Sequence, residues 1–135
     1  MRLRRGCVLA VVALGTHGCA SENGALTGNY KLIGTVAGPL PLVLQYEGVC
    51  PVNLLSGSLA FRDDRYDSAF RIVRDCPEGT DSVMPDPGAR NVMYEVEGDT
   101  IIFRNEEGGA AGMGIRKGDT LTITGPQYTL IYVRE

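Results

Sequence analysis

From residue 29 onward, no window of eleven residues holds apolar side chains at helical spacing without a Gly or Pro breaking it. That interruption excludes helices of ordinary length and leaves short strands joined by turns. The expected strands are 29–36, 41–47, 55–62, 66–75, 91–97, 100–105, 110–116, 120–124 and 127–134. Between them lie turn-forming runs such as AGPLP, RDDR, EGD, EEGG, KGD and GPQ. Glu97-Gly98-Asp99 and Lys117-Gly118-Asp119 sit between β-forming runs and read as tight hairpin turns. The one long irregular stretch is 76–89, whose three prolines preclude a central strand.

Alternation gives each strand one apolar face and one polar face. Tyr66, Ser68, Phe70 and Ile72 share a face; so do Val92, Tyr94 and Val96, and so do Leu121 and Ile123. Half-buried strands of this kind suit an antiparallel sheet wrapped around its own core. The fold class is therefore all-β: an antiparallel up-and-down meander of eight or nine short strands closing into a small barrel, which removes the sheet's edges. A sandwich would need longer crossovers, and only 76–89 could supply one.

The N-terminus addresses the chain. Arg2, Arg4 and Arg5 precede an apolar run from Cys7 to Leu14, followed by small residues around Gly18-Cys19-Ala20. The run falls well short of the roughly 20 residues that cross a bilayer, so it reads as a removable export signal. Residues 1–19 fit a lipoprotein-type signal in which Cys19 is lipidated and becomes the new N-terminus. Residues 20–28 then form a polar tether and 29–135 the folded domain. Ordinary secretory cleavage after Ala20 is the alternative.

Removing Arg2, Arg4 and Arg5 leaves ten basic residues against sixteen acidic ones, taking the formal charge from −3 to −6. A moderately acidic surface with no basic cluster argues against nucleic acid. The only His, His17, leaves with the signal, and with it go Ser-His-Asp catalysis and His-ligated metal. Cys50 and Cys76 remain, and in an oxidising compartment they are expected to form a structural disulfide. Asp63-Asp64 and Glu106-Glu107 read as solvated turns. Asp75, Glu78, Asp81 and Asp86 crowd the long loop without the spacing of a known Ca²⁺ motif. GGAAGMG (108–114) is followed by no helix, so its glycines read as room for the sheet to bend or as space inside the barrel. No catalytic residue, cofactor or metal is expected.

Gly28-Asn29-Tyr30, LLSGSLAFRDDRY, EGDTIIF and KGDTLTI together resemble the small bacterial lipocalin-like exported proteins, over nearly the whole mature chain. In true lipocalins a Gly-x-Trp opens the first strand, and an Arg near the end of the last strand packs over the Trp. Tyr30 stands at the Trp position and Arg134 at the Arg position. The resemblance implies a calyx for a small apolar ligand, with Tyr30, Tyr94, Phe103 and Tyr132 as candidate lining residues. The expected setting is the bacterial cell envelope, with the membrane reached through lipid on Cys19. A filled barrel would instead use its outer surface, or the 76–89 loop with Val83 and Met84, against another envelope protein.

Overall fold

The computed structural model describes residues 26–83, 88–125 and 127–135. These residues form β1 (Gly28–Thr35), β2 (Gly38–Pro39), β3 (Leu42–Glu47), β4 (Cys50–Arg62), β5 (Arg65–Cys76), β6 (Gly79–Ser82), β7 (Val92–Glu97), β8 (Thr100–Arg104), β9 (Ala110–Lys117), β10 (Thr120–Thr124) and β11 (Thr129–Arg134). Every pairing is antiparallel, and no helix occurs among the described residues. The ring runs β1-β11-β10-β9-β8-β7-β5-β4 and returns to β1 through Asn29↔Ala60 and Lys31↔Ser58. Eight strands thus close an up-and-down barrel, with β2, β3 and β6 as additions. The export signal, Cys19, residues 20–25 of the tether and Met84 lie outside the described residues.

Local chemistry explains the turns. Gly98 and Gly118 adopt φ of 62° and 58°, the left-handed region a tight hairpin needs and glycine occupies without strain. Arg116 N–H then donates to Asp99 O, and Arg134 N–H to Asp119 O, binding each turn to the next strand, 2.8 Å in both cases.

Two departures from the expected strands stand out. β4 begins at Cys50 and not at 55, passing through Pro51. The proline is tolerated because the ladder with β5 starts one residue later, at Val52↔Arg74, so no β5 partner awaits its missing N–H. β6 lies inside the stretch expected to be irregular. Pro77, Pro85 and Pro87 flank residues 79–82 without interrupting them, and Val73↔Ser82 through Cys76↔Gly79 pair normally.

The extra length of β4 and β5, flanked by β3 and β6, forms an arm at one end of the barrel. A register shift between Leu54 and Ser56 drops Leu55 from the β4–β5 ladder. Such a bulge bends the strand and restores the inward parity of Gly57, Leu59 and Phe61. The bent arm lays Leu42, Leu44 and Ile72 against the barrel core. Tyr128 Oη donates to Leu44 O at 2.8 Å and ties the arm to the β10–β11 connection. The expected Cys50–Cys76 disulfide joins the arm's two central strands, Cα to Cα 4.6 Å.

The core is aromatic. Phe61 meets Tyr30 and Tyr94 edge-on at ring distances of 5.5 and 5.1 Å, and Tyr66 meets Phe103 edge-on at 5.0 Å. Edge-to-face pairs at these distances add to the burial energy of the rings. Leu26, placed by the sequence pattern in the polar tether, is only 2 % exposed and packs into this core.

Candidate ligand recess

The aromatic core fills the end of the barrel where the chain enters. Towards the arm the filling thins, because β7 meets β5 through only two register pairs, Arg65↔Met93 and Tyr66↔Val92. Above that point, the wall between β5 and β8–β9 gives way to a recess of about 130 Å³. Tyr66 and Phe70 of β5 border it on one side, Phe103 and Gly112 on another, and Ile123 and Tyr132 close the back.

Its polar atoms are engaged. Tyr66 Oη donates to Arg104 O at 2.9 Å, and Ser68 Oγ accepts from Ala89 N–H at 2.8 Å. Ser68 N–H donates in turn to Ala89 O, also at 2.8 Å, fastening residues 88–91 beside β5. Burial pushes the Tyr66 hydroxyl above its ordinary pKa. Among the described residues no buried side-chain nitrogen or oxygen is left without a partner. A recess with this lining offers mainly hydrocarbon contact and few polar atoms.

The depth of the recess follows from glycine. Gly112 stands opposite Phe103 in the β8–β9 ladder, and Gly114 shares its inward face. A Cβ at Gly114 would meet Phe103 Cε2 at 3.1 Å and Leu121 Cδ1 at 3.3 Å, so the core already occupies that space. A Cβ at Gly112 would meet only Thr124 O at 3.4 Å and Ile123 Cγ2 at 3.9 Å. Gly112 therefore leaves room, whereas Gly114 lets Phe103 pack closely.

The four candidate lining residues divide. Phe103 and Tyr132 line the recess. Tyr30 and Tyr94 do not, because the register of β1 and β7 carries them into the packed end against Phe61. Tyr66, Phe70 and Ile123 line it as well. Their shared faces are legible in the alternation of β5 and β10, but not their position relative to the gap beside β7. Arg134 lies opposite Tyr30 in register, and its guanidinium reaches Gly28 and Thr27 at the barrel's end. Val83 is half-buried and its N–H donates to Ile72 O, so it is no exposed apolar anchor.

Two larger clefts are less suited to a ligand. One, of about 550 Å³, lies open beside the disulfide, where Arg74 bridges Glu47 and Asp81 at 2.6 Å each. The guanidinium holds the Asp81 carboxyl below its usual range and pairs with Glu47 as well. The other, of about 470 Å³, holds Arg104 paired to Glu95 at 3.0 Å and Arg65 donating to Asn91 O. Both are lined by charged side chains, and their Arg74 and Arg104 guanidinium groups are already paired.

Comparison with protein-family models, curated proteins and solved structures finds no match for this chain.

Proposed function

We propose that this chain is an exported, lipid-anchored, lipocalin-like protein that takes a small apolar ligand in the recess and catalyses no reaction. The observation supporting this reading is a mostly apolar recess in the barrel wall, whose Tyr66 and Ser68 hydroxyls each already hold a hydrogen bond. Such a surface is poorly hydrated, so a hydrocarbon gains by displacing water that was weakly held. The Cys50–Cys76 disulfide fits an oxidising compartment, in line with the signal at residues 1–19 and lipid on Cys19. The chain enters the fold at Leu26 beside the β4–β5 turn, at the end opposite the β10–β11 connection that borders the recess.

Native mass spectrometry of residues 21–135, exported to a periplasm and purified without detergent, tests the reading. The expected result is an excess mass lost on denaturation and identifiable as an apolar molecule. A clean apo mass that stays clean after incubation with small hydrocarbons overturns it. Lipid on Cys19 is tested separately in the full-length protein: Cys19→Ala should move it from the membrane to the soluble fraction.

A second reading, a protein partner bound on the outer wall, has its own support. Met113 and Ile115 on the outward face of β9 are 53 % and 49 % exposed. Across the ladder they adjoin Ile102 and Thr122, with no charged side chain among the four. Apolar surface of this kind marks interaction sites when it is contiguous. Met113→Lys should then abolish co-purification of an envelope protein while leaving ligand binding unchanged.

A further inference from the structure

We infer that the recess selects an unfunctionalised hydrocarbon group of about six carbons, an aromatic ring or the end of an acyl chain, and that Gly112 sets this size limit. The inference rests on the ligand-binding reading above and names the chemistry that site would accept.

Size comes first. A recess of about 130 Å³ has room for roughly four waters, and an apolar cavity of roughly 150 Å³ is known to suit benzene. A fused bicycle or a bulky cage exceeds this volume and would leave part of its surface outside the opening. Polarity comes second. The lining carries few polar atoms, and Tyr66 Oη and Ser68 Oγ each already hold one bond, with Arg104 O and Ala89 N–H, so a polar group driven to the back of the recess would lose more water contacts than it regains. A head group must stay at the opening.

The limit then turns on one position. Phe103, Ile123 and Leu130 define the walls, and each is fixed by its ladder neighbours. Two lining residues lack a side chain, Gly112 on β9 and Gly125 in the connection after β10; at Gly112 the atoms nearest to an added Cβ would lie at 3.4 and 3.9 Å. The inward parity of Gly112 on β9 directs any added side chain into the recess. Valine there would occupy the volume a ligand needs. Ile123→Ala does the reverse and widens the same space from the neighbouring strand β10.

The test is a titration of the mature chain followed through the methyl resonances of Ile123 and Leu130. The probes are toluene, octanoate and naphthalene. Toluene or octanoate should shift these methyls in the wild type, and the tighter of the two identifies ring or chain end as the natural group. Naphthalene should bind more weakly than toluene until Ile123→Ala is introduced. Gly112→Val should weaken toluene at least about tenfold, in the range a single methylene commands in an apolar pocket. Thermal unfolding serves as the control for a folded variant. If Gly112→Val proves unfolded, the naphthalene response of Ile123→Ala carries the test alone. Equal toluene binding by wild type and a folded Gly112→Val overturns the role of Gly112 and leaves the ligand-binding reading standing. Naphthalene binding the wild type as tightly as toluene overturns the size limit. No methyl response to any probe overturns both.

Discussion

The Leu26 N–H donates to the Tyr94 hydroxyl at 2.8 Å, joining two residues 68 positions apart in the chain. The same hydroxyl faces Leu26 O at 3.1 Å and Asp63 O, so its single proton has a carbonyl acceptor on either side. One phenol thereby fastens the entry of the chain and the β4–β5 turn to β7. Tyr94 acts as the plug of the filled end, which is why it stands apart from the recess.

Removing that hydroxyl isolates its contribution. Tyr94→Phe keeps the ring against Phe61 but leaves the buried Leu26 N–H without its partner. A loss of about 1–3 kcal/mol is expected, the penalty for stranding a buried donor. Urea unfolding measures it as a lower midpoint with an unchanged slope. An unaltered midpoint would mean that water replaces the hydroxyl and that the plug is not closed.

The arm offers an independent test of what the disulfide contributes. Cys50 and Cys76 enclose a 26-residue separation, and restricting such a loop in the unfolded chain stabilises the fold by roughly 3 kcal/mol. Replacing both by Ser should lower stability by about that amount. The barrel pairings should persist while amide exchange accelerates in β3 and β6, the arm's outer strands. Uniform acceleration across all eight barrel strands would instead show that arm and barrel unfold as one unit.

Much of this architecture is legible in the residues. Gly98 and Gly118 announce their hairpins, and the alternation of Tyr66, Ser68 and Phe70 correctly assigns one face of β5 to the interior. The filled end is harder to foresee. Whether Tyr30 or Tyr132 borders open space depends on the stagger between strands, set by the short β5–β7 pairing and by bulges at Leu55, Ile33 and Leu44. Nothing local in a strand encodes how far its neighbour extends. β6 escapes the pattern for another reason: its residues are Gly, Thr, Asp and Ser, all exposed, and pairing with β5 alone makes them a strand.

Alkaline pH should weaken the fold through its buried phenols. Burial raises the pKa of Tyr66 and, as the leading cause, that of Tyr94. In the unfolded chain both ionise near pH 10. Above that pH the unfolded chain therefore binds fewer protons than the folded one, and stability falls as pH rises. Their contribution is intact below about pH 10 and is lost as the pH climbs through the folded-state values above it. Urea midpoints measured from about pH 9 upward should decline, and Tyr66→Phe should make the decline shallower. An identical slope in that variant would assign the effect to other groups.

Alanine at the two inward glycines of β9 gives the sharpest contrast between filled and open interior. At Gly114 the new methyl would press on Phe103, Leu121 and Ile123 at 3.1, 3.3 and 3.4 Å, side chains from two neighbouring strands with little room to retreat. Overpacking of this kind costs about 1–3 kcal/mol. At Gly112 the nearest atom is Thr124 O at 3.4 Å, an ordinary contact, and the backbone there is not left-handed. Alanine also narrows the unfolded ensemble, which favours the fold by about 0.4–1 kcal/mol where the native conformation suits it. Gly114→Ala should therefore lower the melting temperature by several degrees, at about 4–8 °C per kcal/mol for a domain near this size. Gly112→Ala should leave it unchanged or raise it slightly. Equal losses at both sites would mean that the interior beside Gly112 is as full as that beside Gly114, and the recess would then be no place for a ligand.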